Sequence, residues 1–179
     1  MNRNSMIAGL GIAAIAAAAC STDGAVLSSR APVQAGAQLT DASGRPMAQA
    51  VVVEGRDRLQ VRIEADGLPP GTYAVHLHEN GRCEGPGFES AGGHWNPTSR
   101  QHGSRNPLGP HSGDLPNLLV GTDGLGGVEF AIPDGTLARG PGSLLDENGA
   151  AVVVHAGPDD YRTDPSGNSG ARIACGALG

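Results

Sequence analysis

The sequence predicts an all-β fold, a Greek-key sandwich or flattened barrel, from three observations. Apolar and polar residues alternate along 59–65 with the two-residue period of a strand that has one buried face. The 29 glycines and 13 prolines of the 179-residue chain are spread through the turns between such segments. After the N-terminal segment, no stretch shows convincing helical periodicity. The chain is therefore expected to fold as a series of short antiparallel strands.

Six segments are predicted as strands because their aliphatic residues are closely spaced and turn residues bound them. They are residues 51–54, 59–65, 72–78, 115–122, 127–132 and 150–155. The separating turn signals are Gly55, the Gly/Pro-rich segment 67–71, Asp123-Gly124 and Asn148-Gly149. The first three strands follow one another closely, which predicts an antiparallel meander.

The N-terminal segment is typical of export. Arg3 is followed by an uncharged, mostly apolar run from 7 to 19, as in a secretory signal peptide. A transmembrane anchor is the alternative, but about 13 residues fall short of the roughly 20 that span a bilayer. Three alanines precede Cys20 and resemble a lipoprotein cleavage box, although Ala17 stands where leucine is usual. Ordinary cleavage near Ala19 is the alternative to lipidation.

These patterns predict the division of the chain. We expect a signal peptide at 1–19, a lipidated Cys20 with a flexible tether through 35, and one folded domain at 36–179. The expected location is the periplasm or cell envelope, with lipid attachment to a membrane. If Cys20 carries lipid, the two remaining cysteines, Cys83 and Cys175, are free to form one disulfide in an oxidising compartment. Two unpaired buried thiols are the alternative.

The charge of the chain restricts its partners. A formal net charge of −6 and the lack of a basic run argue against nucleic acid. Acidity also disfavours anionic substrates in general. A small anion handled by this protein would therefore need a local positive feature to attract it.

One long segment and two histidine groups predict bound metal. Residues 79–114 are rich in Gly, Pro, Asn, Ser and His and have no strand pattern, so a metal and a disulfide would have to order them. His76 and His78 share one face of a predicted strand and can bind the same ion, or can simply be solvated. A second group matches a closed tetrahedral zinc site in ligand type: His94, His102, His111 and Asp114. His155 alone would be an ordinary histidine at a strand end, but with it all six histidines are accounted for.

Several motifs in 36–179 closely resemble the copper-zinc superoxide dismutases, in particular the exported bacterial branch. They are His76-Leu77-His78, Gly93-His94-Trp95-Asn96-Pro97, His102-Gly103, His111 with Gly113-Asp114-Leu115-Pro116-Asn117, His155-Ala156-Gly157-Pro158-Asp159-Asp160 and Gly170-Ala171-Arg172-Ile173-Ala174-Cys175-Gly176. The resemblance implies a flattened eight-stranded barrel with long metal-binding and electrostatic loops. It also implies one copper and one zinc ion in each subunit.

The resemblance further implies a role for each site residue. Copper would be bound by His76, His78, His94 and His155, and zinc by His94, His102, His111 and Asp114. His94 would therefore bridge the two metals. Asp159 matches the carboxylate that orients one ligand histidine of each metal, and Arg172 matches the arginine that guides the anion inward. Cys83 and Cys175 match the intrasubunit disulfide.

The implied reaction is the dismutation of superoxide to oxygen and hydrogen peroxide by alternate reduction and reoxidation of copper. His94 would deliver one proton, and zinc would be structural. Fast, electrostatically steered turnover is a known property of this family. The main alternative is a non-enzymatic copper or zinc binding protein of the cell envelope. An interaction module stapled by metals and the copper-only relatives are weaker alternatives, and the sequence leaves monomer or homodimer open.

Overall fold

In the computed structural model, which describes residues 33–179, the chain forms one antiparallel sheet of nine strands. These are β1 (Gln34–Thr40), β2 (Pro46–Glu54), β3 (Arg58–Ala65), β4 (Gly71–Tyr73), β5 (Val75–His78), β6 (Leu118–Val120), β7 (Gly126–Pro133), β8 (Ala151–His155) and β9 (Arg172–Ala177). Within the same range the only helix is a 3₁₀ turn, Glu89–Ala91. No helix of this part of the chain is long and apolar enough to cross a membrane.

The sheet curls into a nearly closed barrel, and its two edge strands are consecutive in the chain. The strand order is β4-β6-β7-β3-β2-β1-β9-β8-β5, and only Ala74 separates the terminal members β4 and β5. Ala74 donates its N–H to Gly157 O at 2.8 Å, and its carbonyl accepts the N–H of His155 at 2.9 Å. β4 and β5 therefore act as one bent strand, and the predicted flattened eight-stranded barrel is confirmed.

Strand β3 illustrates how the alternating pattern builds the core. Leu59, Val61 and Ile63 are buried, whereas the residues between them are exposed. β3 pairs with β2 on one side and with β7 on the other along its whole length. Because each fully buried aliphatic side chain contributes about 1.5–3 kcal/mol, a one-residue slip in register would be strongly unfavourable.

The predicted meander of three strands is wrong beyond its first pair: β3 pairs with β2 and β7, whereas β4 pairs with β6 and β5 with β8, because the segment after β3 crosses to the ends of the sheet.

The strand boundaries also differ from the prediction where tertiary pairing overrides local preference. β1 and β9 were not expected as strands from their residues, since both are rich in alanine and contain glycine, which disfavour strands. They form because β1 pairs along β2 and β9 pairs along β8. The predicted strand at 115–122 shortens to Leu118–Val120 because the preceding residues belong to the metal-site loop.

The N-terminal predictions lie outside the described residues. This applies to the signal peptide, to Cys20 and to most of the tether. β1 begins at Gln34, two residues before the predicted start of the domain.

Candidate metal centre

The long loop 79–117 is attached to β5 by backbone hydrogen bonds. Trp95 N donates to Leu77 O at 2.8 Å, and Leu77 N donates to Gly113 O at 2.9 Å. Isolated bridges also pair His76 with Asp114 and His78 with His94. Although the loop has no strand of its own, it forms strand-like backbone hydrogen bonds with β5. These bonds place the candidate metal ligands of the loop beside those of β5.

β5 presents two histidines on the face opposite its core residues. Val75 and Leu77 belong to the main apolar cluster, while His76 and His78 point away from it and are fully buried by the loops. His155 follows Val154 at the end of β8, the strand paired with β5, and is also buried. The bent strand and its neighbour therefore bring three imidazoles together on one face.

Four buried imidazoles form the first half of the centre, here called the copper half. Ring nitrogens of His76, His78, His94 and His155 lie within 4.8 Å of one another. In the described part of the chain, buried side-chain atoms without a hydrogen-bond partner include His76 Nδ1 and the Nε2 atoms of His78, His94 and His155. Unpaired buried polar atoms are costly, so four of them converging on one point indicate a bound cation.

The second half, here called the zinc half, is built around one carboxylate oxygen. Asp114 Oδ1 lies 2.8 Å from His94 Nδ1, 3.0 Å from His102 Nδ1 and 3.2 Å from His111 Nδ1. Asp114 Oδ2 accepts the backbone N–H groups of Gly103 and His111 at 2.8 and 3.0 Å. The backbone thus fixes the carboxylate, and three nitrogens and one oxygen meet as in a structural zinc site.

His94 lies between the halves and faces both. Its Nδ1 approaches Asp114 in the zinc half, and its Nε2 has no partner and belongs to the copper half. A purely spatial grouping of nitrogens and oxygens near Asp114 includes His76 instead of His111. We assign His76 to the copper half, because its Nε2 is committed to Asp159 and its free Nδ1 faces the other three unpaired nitrogens.

Asp159 connects the two halves from behind. Its Oδ2 lies 3.1 Å from His76 Nε2, and its Oδ1 lies 2.9 Å from His102 Nε2. These contacts leave Nδ1 of each ring for metal, as the predicted orienting role of Asp159 requires. Although burial opposes it, hydrogen bonds from His102 and His76 hold the pKa of Asp159 well below its ordinary value.

Two residues that were not assigned a role from the sequence hold Asp159 in place. The Asn117 side chain accepts Asp159 N–H at 2.8 Å and donates to Asp159 O at 3.0 Å. Tyr161 donates its backbone N–H to Asp159 Oδ1 at 2.7 Å, and its hydroxyl accepts Asn117 N–H at 2.9 Å. Asn117 lies inside one of the quoted motifs, so its position was visible in the sequence, but its partner is 42 residues away.

The protonation of the buried imidazoles differs between the three rings that belong only to the copper half and His102 of the zinc half. Burial lowers the pKa of His76 to about 3, of His78 to about 2 and of His155 to about 4. His102 differs: burial also acts to lower its pKa, but hydrogen bonds to Asp114 and Asp159 outweigh it and raise the pKa to about 9. The copper half thus holds neutral rings, whereas in the zinc half the ring of His102 favours a positive charge although burial lowers the pKa of His94.

A cavity of about 480 Å³ opens onto the centre. His94, His111, His155 and Arg172 line it, with Glu79 at its side. The Arg172 guanidinium donates to Phe88 O at 2.8 Å and to Gly92 O at 2.7 Å. It therefore sits fixed and half-buried beside the copper half, and it places a positive charge on the cavity wall.

The disulfide between Cys83 and Cys175 joins the loop that carries these carbonyls to β9, which carries Arg172. The two cysteines are 92 residues apart in sequence. Loss of a native disulfide typically costs about 2–5 kcal/mol, and this one also ties Arg172 to its hydrogen-bond acceptors. Every predicted site residue in the described range, from His76 to Cys175, thus lies in or directly beside the centre.

Comparison with known proteins gives one consistent result. The family described as copper/zinc superoxide dismutase (SODC) matches residues 42–178. Superoxide dismutase (Cu-Zn) 2 of Aquifex aeolicus is 43% identical over 148 residues, which cover 82% of this chain and 86% of that protein. The superoxide dismutase-like protein YojM of Bacillus subtilis is 47% identical over 144 residues, covering 79% of this chain and 74% of that protein.

Solved structures agree with the sequence relatives. The crystal structure of a SOD-like protein from Bacillus subtilis aligns with a TM-score of 0.75 and 44% identity, covering 80% of this chain and 97% of that chain. The clock protein EA4 aligns with a TM-score of 0.69 and 32% identity, covering 83% and 94%. The fold is therefore shared across these proteins.

Proposed function

The chain belongs to the copper/zinc superoxide dismutase family. We propose that its two histidine groups bind copper and zinc, and that the protein dismutates superoxide in the cell envelope. The reaction and the two metals follow from the family, whereas the residue assignments and the location are our proposal. The observation that carries the assignments is the convergence of four unpaired, buried imidazole nitrogens beside a closed three-nitrogen, one-oxygen group.

The copper half fits its metal chemically. Imidazole nitrogens suit copper, and burial keeps these rings in the neutral form that binds a cation. When bound, copper supplies the one-electron chemistry by which one superoxide is oxidised to oxygen and a second is reduced to hydrogen peroxide. His76, His78 and His155 hold their rings fixed through Asp159, Gly92 O and Gly170 O respectively. Little reorganisation of these side chains is then needed during turnover.

Substrate approach depends on Arg172. Its charge lies on the wall of the cavity that leads to His94 and His155, and two carbonyls hold its guanidinium in place. Because the chain as a whole is acidic, this fixed cation gives the cavity a local attraction for a small anion. Two protons are also required to form hydrogen peroxide. His94, which lines the cavity, is proposed to deliver one of them from Nε2, and solvent in the cavity the other.

The zinc half fits a structural role. Its four donors surround one point, and backbone N–H groups orient Asp114. All four ligands belong to the loop 79–117, which has no strand of its own, so zinc would stabilise that loop and hold His94 where both halves need it.

The first experiment is superoxide dismutation by the mature chain after loading with copper and zinc, with both metals quantified on the same sample. We expect about one copper and one zinc per chain together with activity. The chain loaded with zinc alone is the matched control, and it should bind its metal without turnover. Equal activity in both samples would contradict the proposal.

A second candidate function is copper or zinc binding without catalysis. It is favoured by the likeness to a protein known as superoxide dismutase-like. Stoichiometric copper at the copper half without dismutation would support it. The complete set of four nitrogens and the fixed Arg172 beside them favour the enzyme.

The location and attachment of the protein belong to the same proposal. A signal peptide at 1–19 and lipid on Cys20 would place the enzyme at a membrane of the cell envelope, where it would protect against superoxide. Metabolic labelling with a fatty acid tests this directly, with Cys20→Ser as the comparison. We expect label and membrane association in the parent and neither in the variant. Light scattering of the soluble domain would decide between monomer and homodimer.

A further inference from the structure

The ring nitrogens that face away from the zinc half each point to a different group. His102 Nε2 lies 2.9 Å from Asp159 Oδ1, and His94 Nε2 belongs to the copper half. His111 turns Nδ1 toward Asp114 Oδ1 at 3.2 Å, which leaves Nε2 facing outward. The nearest carboxylate oxygen to that nitrogen is Asp164 Oδ1, at 3.9 Å. Asp164 thus faces the outer ring nitrogen of His111, as Asp159 faces that of His102, but at a longer distance.

The same oxygen of Asp164 also fixes the backbone of the neighbouring ligand. It accepts the N–H of His102 at 2.6 Å, although Asp164 lies 62 residues later in the chain. His102 is fully buried, so this N–H has no access to water. One carboxylate therefore contacts the backbone of one zinc-half histidine and faces the ring of another.

We propose that Asp164 is a positioning residue for zinc, which orients His111 and anchors His102. This inference rests on the zinc assignment made above. The distance of 3.9 Å is too long for a direct hydrogen bond, but a bound cation on Nδ1 makes the opposite N–H a stronger donor and attracts it toward a carboxylate. Among the described residues, Asp164 has no polar contact with His76, His78 or His155. Its effect is therefore specific to zinc.

The local fold of the loop that carries Asp164 is maintained by a different aspartate. Asp160 accepts the N–H groups of Arg162 and Thr163, each at 2.8 Å. Its second oxygen accepts from the Thr163 hydroxyl and from the Asn168 amide. The side chain of Asp164 is not part of this network, so its removal leaves the loop its own support.

The test compares zinc and copper affinity of the metal-free chain, measured by competition with a chromophoric chelator. For Asp164→Ala we expect zinc binding weakened about tenfold, at the low end of the range for outer partners of metal ligands, and copper binding within about twofold of the parent. Asp164→Asn keeps an oxygen for His102 N–H but lacks the charge, and it should recover about half of the loss on a logarithmic scale. Asp66→Ala removes the same charge at an exposed position and should change neither affinity.

A second readout separates ring orientation from general loosening. Nitrogen-15 NMR of the zinc-loaded, copper-free chain reports each imidazole, and in Asp164→Ala we expect the His111 Nε2–H signal to shift while that of His102 Nε2–H stays. Unchanged zinc affinity in Asp164→Ala, or an equal loss of both metals, would overturn the inference. If the parent itself binds no zinc, the zinc assignment fails instead, and the two failures are thereby distinguished.

Discussion

The copper half and the zinc half are both built from histidines, yet their electrostatic environments differ. The copper half contains imidazoles only, and burial lowers their pKa values. The zinc half adds Asp114, and the ring of His102, which contacts both Asp114 and Asp159, has a raised pKa. Burial nevertheless lowers the pKa of His94, which belongs to both halves. The protonation of a buried histidine therefore depends on how many carboxylates contact its ring, since His76 contacts one and His102 contacts two.

The difference suits the proposed roles. A site that changes metal charge during turnover benefits from neutral ligands in a dry environment and from a cation, Arg172, that attracts the anion. A structural site benefits from a carboxylate that neutralises part of the metal charge and closes the shell. His94 is the one residue that belongs to both environments.

The largest expected effect is that of His94→Ala, because this substitution removes a ligand from both halves. We expect both metals to bind weakly and activity to fall by at least about 100-fold, since even outer partners of ligands commonly change metal affinity by 10- to 100-fold. The matched comparison is His155→Ala, which should release copper and retain zinc. Full activity of His94→Ala with normal copper content would sink the assignment.

Next in size is Asp159→Ala, which leaves both halves complete but removes the carboxylate behind them. Copper and zinc affinity should each fall by about 10- to 100-fold, because His76 and His102 lose the partner that fixes their rings. Chelator competition on the metal-free chain measures both. A loss confined to one metal would mean that Asp159 serves only one half.

The pH dependence of metal uptake separates the halves directly. His102 has a pKa of about 9 in the metal-free chain and carries a proton below that pH, which zinc must displace. Apparent zinc affinity should therefore rise about tenfold per pH unit between 6 and 8. The pKa values of His76, His78 and His155 are about 4 or lower, so these rings add no pH dependence to copper uptake in that range. Parallel slopes for the two metals would break the comparison.

The smallest expected effect is that of replacing Arg172, which should change the rate of dismutation and leave metal binding unchanged. Arg172→Ala should retain both metals and lower the rate of dismutation by about tenfold at low salt, since the fixed cation no longer attracts the anion. Dependence on ionic strength should weaken as well. Arg172→Lys is the matched control that keeps the charge but loses one of the two carbonyl contacts. An unchanged rate for Arg172→Ala at low ionic strength would exclude guidance by this residue.

Much of the fold was predictable because it follows from the local alternation of apolar and polar residues and from turn residues. The alternation of 59–65 gave β3 almost to the residue, and the adjacent turn signals separated it from its neighbours. β1 and β9 were not predicted from their own residues, because alanine and glycine carry little strand preference. Their pairing with β2 and β8 is decided by partners far along the chain.

The candidate site likewise contains residues that the sequence predicted and residues that only the structure revealed. Residue types and spacing, together with the resemblance to a family, were sufficient to select every histidine, Asp114, Asp159 and Arg172 as candidate site residues, and the structure brings these residues together. Asn117, Tyr161 and Asp164 could not be assigned roles, because each acts through a contact 42 to 62 residues away or through its backbone. Such contacts leave no periodic trace in a single sequence.

The sequence by itself determined which side chains are available for metal, since ligand identity and strand face are local properties. Only the tertiary structure decided which nitrogen of each ring faces which partner. Asp159 takes Nε2 of both His76 and His102, although it lies 83 and 57 residues away from them. That choice leaves Nδ1 for metal, and it arises because the closed barrel places β5, its loop and the segment after β8 around one point.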